Sequence, residues 1–479
     1  MKIIKRIIAA VVAASLFCSL TLIISGCSKK VGEKDEYTVI AEYEEGGTLK
    51  VSSSVIVHAK ESGTNEVRFN LYPNAYRAGA KITPLKEGDV SGSFSLTKVL
   101  FNDSAAEYEL CGADENVLAV KTDRAYGEGE SFNVTVSYEA KLSDSDERLS
   151  FGEDWANLGN FVPMLCAYRG KRFVECEFGA MGDPFVSEVA DFKVSLTVPS
   201  EYVVASGFEA TGCDVEDDKT MYRYSAISVR DVAFSINKNY SVAEKKWGDK
   251  SIKYYFYNDN KSEETLDAAI DALEYFSKNF GDYPYPVFAF AESRFDAGGM
   301  EYPCFTLVAD NLSREDYLFA VVHEIAHQWW YGLVGNDQIE SPFLDESLAE
   351  YSTLAFFFDR ADYGIDAEAI YRATKTGCAY ADRAFASLYP DYIGAVGRGL
   401  REFKGQYDYV ISVYSKGMLM MKAAEEAIGK KSLLRKLKSY CSKYAYSIAE
   451  EGDFLESMGA AKPVIESYLK GKVILPIEG

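Results

Sequence analysis

Ser313-Arg314-Glu315-Asp316-Tyr317-Leu318-Phe319-Ala320-Val321-Val322-His323-Glu324-Ile325-Ala326-His327-Gln328-Trp329-Trp330 decides how this chain is read. Two of its three histidines, His323 and His327, stand four apart around Glu324. A further carboxylate, Glu346, follows with eighteen residues between it and His327. Residues four apart on a helix share one face. Both imidazoles can then reach one zinc ion about 2.0–2.1 Å away, with a carboxylate oxygen as third ligand and a position left open for water. Glu324 lies about 100° around the same helix, beside the ion, where it can take water's proton. The pattern predicts a helix over Tyr317 to Trp330, a stretch without Gly or Pro, with Ser313 and Asp316 as its N-terminal cap. Glu346 opens a second helical stretch, Leu344-Asp345-Glu346-Ser347-Leu348-Ala349-Glu350-Tyr351. A bare H-E-x-x-H also arises by chance. The scarcity of histidine and the helical pattern around it favour a metal site.

At 479 residues the chain is long enough for two or three domains. Its 48% hydrophobic and 26% charged residues are those of a globular protein. The 34 tyrosines and 28 phenylalanines suit β-rich packing and an aromatic-lined cleft. A formal charge of −22 argues against a nucleic-acid-binding face. It suits solubility and a cleft that favours cationic ligands.

Lys2, Lys5 and Arg6 precede an apolar run from Ile7 to Ile24, and Ile24-Ser25-Gly26-Cys27 resembles a bacterial lipobox. The expectation is a signal peptide over 1–26, with Cys27 lipidated and anchoring the protein to the bacterial cell membrane. An uncleaved membrane helix is the alternative. Either way the remainder is extracytoplasmic. Residues 27–37 read as a polar tether. Beyond Cys18 and Cys27, the seven remaining cysteines show no C-x-x-C spacing. Buried thiols are expected, and a Cys166–Cys176 disulfide stays open.

Residues 38–247 alternate with period two. Ser54–His58, Glu66–Leu71, Phe132–Tyr138 and Phe192–Val198 predict strands of an antiparallel β-sandwich, and His58 falls on one as a structural residue. Residues 248–479 change period. After a strand at Ile252–Tyr257, Leu266, Ile270, Leu273 and Phe276 mark a helix face, which Pro284 and Pro286 end. Tyr414 to Ile428 reads as helix closed by Gly429. Leu433–Tyr444 and Val464–Leu469 read likewise. The fold class is α+β, a β-domain followed by a mainly helical one.

The H-E-x-x-H segment with Glu346, Gly298-Gly299-Met300-Glu301, and Tyr414-Ser415-Lys416-Gly417 occur in that family's order and spacing in resembling the aminopeptidase N / leukotriene hydrolase family of zinc metallopeptidases. The chain is similar to a short, bacterial lipoprotein form of these gluzincins, most closely over residues 231–455. The resemblance implies a thermolysin-like catalytic domain with one zinc per chain, bound by His323, His327 and Glu346. It implies Glu324 as general base, and Tyr414 as hydrogen-bond donor to the oxyanion. It implies Glu301 as the group that binds a peptide's α-amine, with Gly298, Gly299 and Met300 lining the substrate. Glu350, one turn beyond Glu346, is placed to orient a ligating imidazole. Peptides are the implied substrates. Tyr302 stands where the family has Asn, and Phe343-Leu344-Asp345-Glu346 replaces W-L-N-E, which bears on amine capture. The family's long helical C-terminal domain is not expected, and a more open cleft is. The alternatives are an endopeptidase or other zinc hydrolase of this fold, and a non-catalytic peptide-binding lipoprotein.

Overall fold

A computed structural model describes residues 34–476 apart from 177 and 180; Cys27, the expected signal peptide and most of the tether lie outside the described residues. The first strand begins at Glu36, inside the expected tether, because Tyr37 is the first residue with a buried partner: its ring stacks on Phe192 at 4.5 Å.

The strands Glu36–Glu44, Thr48–His58, Ser131–Lys141 and Ala190–Pro199 alternate buried and solvent-facing residues along most of their length. That alternation is what a sheet with one covered face imposes. They lie side by side in an eight-stranded sheet. Facing it is a four-stranded sheet containing Thr64–Asn70 and Val117–Tyr126. The two meet where Tyr126 packs on Phe101 and Phe132, and where the Tyr37 hydroxyl accepts the Leu165 N–H at 3.0 Å. Among the described strand ladders of the β-domain, the expected antiparallel pattern fails at one, with isolated parallel bridges at Arg77/Gly92 and Ser143/Ser150 besides. Glu36–Glu44 pairs in parallel with Ala190–Pro199, Val39 opposite Val194. This pairing can be parallel because no short hairpin joins Glu36–Glu44 to Ala190–Pro199.

Ser241–Trp247 forms a hairpin with Lys250–Phe256 and belongs to the five-stranded sheet of the second half. Arg230 locks the two halves. Its guanidinium, 1% exposed, donates to the carbonyls of Ser187, Tyr331, Leu333 and Ser447.

The helix Ser262–Phe280 buries Leu266, Leu273 and Phe276, while Ile270 is half-buried. The helix Arg314–Ala326 starts at Ser313, whose hydroxyl accepts the Asp316 N–H at 3.2 Å. It ends at Ala326, with His327 as its cap, short of the expected Trp330. The N–H groups of Gln328 and Trp329 bond back three residues, and the Gly332 N–H returns to the His327 carbonyl. This tight reversal buries both tryptophans. Trp329 donates to the Gly281 carbonyl at 2.7 Å, and Trp330 to the Ser352 hydroxyl at 3.0 Å. Tyr414 sits in a wide π-helical turn, Ile411–Lys416, ahead of the helix Gly417–Ile428, which Gly429 closes. All seven described cysteines are free thiols, with Cys166 and Cys176 buried. Among the described residues no helix is long and apolar enough to cross a membrane.

Candidate active site

The His323 helix carries both imidazoles on one face, one turn apart. Glu346 opens the helix Glu346–Asp359, whose Asp345 caps it by accepting the Glu346 N–H at 3.0 Å. The two Nε2 atoms lie 3.0 Å apart, and Glu346 Oε2 is 3.3 Å from that of His323 and 3.2 Å from that of His327. Zinc with bonds of 2.0–2.1 Å at tetrahedral angles puts neighbouring ligand atoms about 3.3 Å apart. The donor set and its spacing thus fit one such ion. The far nitrogens are engaged as well: His323 Nδ1 meets Glu350 Oε2 at 3.0 Å, and His327 Nδ1 meets the Trp330 carbonyl at 2.9 Å. Acceptors on Nδ1 keep the Nε2 lone pairs directed at the centre.

Charge follows the same geometry. Burial works against ionisation of Glu346, yet His327 and His323 hold its carboxyl well below the usual range. Burial alone would lower His323, but hydrogen bonds to Glu346 and Glu350 raise it to about 10. Burial lifts Glu324 to about 7 against the pull of both histidines. Its Oε2 has no hydrogen-bond partner among the described residues, although the side chain is only 6% exposed. A buried acceptor in that condition is costly unless something is meant to occupy it. The facing wall is Gly299. A Cβ there would lie 2.2 Å from Glu324 Oε1, so only glycine lets the backbone approach.

Gly299–Met300 is the outer strand of the five-stranded sheet, antiparallel to Phe305–Ala309. Gly298, ahead of it, has φ +89°. Both glycines and Glu301 line a cleft of about 810 Å³ together with Glu324, Glu350, Tyr414 and the three prospective ligands. Met300 does not. Neighbours on a strand alternate sides, and its sulfur is buried 3.3 Å from Arg148 Nη1. Glu301 Oε1 accepts from Gln338 Nε2 at 2.9 Å, and burial, then Asp183, pushes its carboxyl well above the usual range. The Tyr302 hydroxyl turns away to Asn160 Oδ1 at 3.2 Å.

The Tyr414 ring stacks on His323 at 5.9 Å, and burial, then Glu346, raises its hydroxyl. Two neighbours in the motif explain its place. Lys416, 1% exposed, pairs with Asp382 at 2.6 Å. Gly417 passes so close to Ser347 that a Cβ would sit 2.0 Å from the hydroxyl.

Three cleft or near-cleft residues carry no sequence signal of their own: Asp183, Arg148 and Gln338. The first two come from the β-domain, where Arg148 pairs with Asp183 at 2.5 Å. Their placement depends on how the halves dock.

Residues 264–470 match the peptidase family M1 domain. A tricorn protease-interacting factor F2 of Thermoplasma volcanium is 23% identical over 57% of this chain and 36% of its own length. An aminopeptidase M1-B of Oryza sativa subsp. japonica is 25% identical over 55% of this chain and 32% of its own length. The chain thus matches about a third of the length of these curated relatives. An M1 zinc metallopeptidase from Deinococcus radiodurans shares the fold, with a TM-score of 0.65, 16% identity, and coverage of 92% of this chain and 94% of that one. The second half of the chain thus matches the peptidase family M1 domain, and the chain shares the two-domain fold of an M1 zinc metallopeptidase.

Proposed function

We propose that this protein is a zinc-dependent aminopeptidase that removes N-terminal residues from peptides. The observation that carries the reading is the 3.0–3.3 Å triangle of His323, His327 and Glu346 beside an unpartnered Glu324 carboxylate oxygen. Zinc held there supplies an electrophile for the carbonyl and lowers the pKa of water. Glu324 takes the proton of the attacking water and returns it to the departing amine. Its carboxyl, raised by burial, is drawn back toward ionisation by a neighbouring dication. Tyr414, stacked on His323, donates its hydroxyl to the developing oxyanion. Glu301 accepts from the substrate's α-ammonium, and the edge strand at Gly299 pairs with the peptide backbone. The related Deinococcus metallopeptidase is described with a bound Tyr-Ser-Ala substrate, which supports peptides as the substrate class.

One observation favours endopeptidase action as a second reading. Glu301 is held by Gln338 and its acidity is weakened by burial. The deciding experiment compares a free peptide with its acetylated form, with and without chelator, and in Glu324→Gln. The aminopeptidase reading expects loss of turnover by about 100-fold or more on each change. Equal rates on the acetylated peptide would leave the hydrolase and remove the exopeptidase.

We also propose that Cys27 anchors the protein to the bacterial membrane, on the support of Ile24-Ser25-Gly26-Cys27. Radiolabelled lipid that still enters a Cys27→Ala protein defeats that proposal.

A further inference from the structure

Directly after Glu301 the chain turns through Tyr302, Pro303 and Cys304, all buried, with Cys304 at φ +64°. This turn is gripped from both halves of the protein. On one side Gln328, next to His327, brackets it. Its Nε2 donates to the Tyr302 carbonyl at 3.1 Å, and its Oε1 accepts the Cys304 N–H at 2.7 Å. On the other side stand Gly159, Asn160, Gly207 and Asp231 of the β-domain. The strand Phe234–Asn237 lies between Trp155–Leu158 and Val203–Ala205, with Leu158 opposite Phe234 and Ala205 opposite Ser235. That register gathers the four residues at one end of the sheet. A Cβ on Gly159 would lie 1.8 Å from the Tyr302 hydroxyl oxygen, and one on Gly207 would lie 2.1 Å from the Cys304 carbonyl oxygen. The Tyr302 hydroxyl donates to Asn160 Oδ1 at 3.2 Å, and Asn160 Nδ2 donates to Asp231 Oδ2 at 2.8 Å. The other Asp231 oxygen accepts the Val232 N–H at 2.7 Å. All three of these side chains are buried.

We infer that Tyr302 is a positioning residue for Glu301. Through Asn160 and Asp231 it fastens the amine-binding end of the cleft to the β-domain, and so sets how strongly the protein distinguishes free from blocked N-termini. This rests on the aminopeptidase reading and deepens it. Tyr302 does not line the cleft; it acts through the backbone it shares with Glu301. Consecutive Cα atoms are about 3.8 Å apart, so a shift of the turn carries Glu301 with it. The direction of the hydrogen bonds is fixed as well. A hydroxyl donor makes Asn160 present its oxygen, which leaves its amide N–H for the carboxylate. Removing any one of the three leaves a buried partner unpaired. Glu324 and the prospective zinc ligands stand on two helices instead. Loosening the turn therefore disturbs capture of the amine and leaves activation of water in place.

The test measures kcat and KM of the zinc-loaded protein on Leu-Phe-amide and on acetyl-Leu-Phe-amide. The parent is expected to favour the free amine by about 100-fold or more in kcat/KM. Tyr302→Phe keeps the ring and removes the donor. Asn160→Gly removes both links and keeps the left-handed backbone at φ +52°. Each should cut the preference about 10-fold through a raised KM for the free peptide, with its kcat held within about 3-fold. Turnover of the acetylated peptide should stay within about 2-fold of the parent. Tyr37→Phe is the control. It removes a buried hydroxyl elsewhere in the β-domain, the one that accepts the Leu165 N–H, and should keep the parental preference. A preference within about 2-fold of the parent in either variant, or an equal fall in Tyr37→Phe, overturns the inference while the aminopeptidase reading stands. A parent protein that does not favour the free amine removes both.

Discussion

Gln338 Nε2 donates to Glu301 Oε1 at 2.9 Å and to Asp345 Oδ2 at 2.7 Å, tying the loop that ends the substrate edge to the cap of the Glu346 helix. Both acids are buried, and the cap's carboxyl is lifted to about 7, by burial first and Glu346 second. Gln338→Leu strips both of their shared donor. It should raise KM for peptides with a free amine about 10-fold and cost about 1–3 kcal/mol of stability. Steady-state kinetics and urea unfolding of the two proteins check it.

Gly299→Ala places a methyl group where Glu324 now lies. Displacing the base by even 1 Å should lower kcat by about 100-fold. Zinc content should stay stoichiometric, because neither imidazole nor Glu346 is touched. A variant that turns over normally would show that Glu324 does not depend on this close approach.

Zinc uptake should release protons at neutral pH. His323 is raised from its ordinary value to about 10 by Glu346 and Glu350, so at pH 7 the metal-free site holds that proton. Ion binding must displace it. Affinity should then climb about 10-fold per pH unit for each proton released. In the metal-free protein the sign is that of a raised histidine: its contribution to stability is complete below pH 6.5 and vanishes as pH rises through about 10. Calorimetry in two buffers of different ionisation enthalpy, and melts of chelated protein at pH 7 and 9.5, measure both effects. Zinc binding without proton uptake by the buffer would contradict the charge assignment.

Arg230→Met removes the guanidinium that serves the carbonyls of Ser187, Tyr331, Leu333 and Ser447. Leaving these groups buried and unpaired should cost about 3–5 kcal/mol. Arg230→Lys should recover little, since one ammonium cannot span the spread of acceptors. The midpoint of denaturant unfolding reads this directly.

Much of the site was legible because helical periodicity fixes it locally. His323, Glu324 and His327 needed only the spacing of one turn, and Glu350 one more turn beyond Glu346. Strands such as Thr48–His58 and Ala190–Pro199 showed themselves by alternation. Pairing direction did not, since the parallel register of Val39 with Val194 leaves no trace in either strand alone. The early end of the His323 helix was hidden as well, because Gln328 to Trp330 are good helix residues that tertiary burial folds back. Met300, which the resemblance implies as substrate-lining, has its sulfur buried against Arg148 Nη1, a placement set by the strand's alternation. Asp183, Arg148 and Gln338 acquire meaning only from docking between segments distant in the chain.

The hairpin Ser241–Trp247 / Lys250–Phe256 lies upstream of the residues that match the family domain. Lys250–Phe256 covers one edge of Val287–Ser293, a strand in which every residue is buried. A fragment cut at 264 would bare that edge to intermolecular pairing. It would also lose the guanidinium that closes the seam at Tyr331 and Ser447. The stretch recognisable by homology therefore lacks a strand that its own sheet needs, and expressing residues 264–470 by themselves should yield aggregates rather than a smaller enzyme.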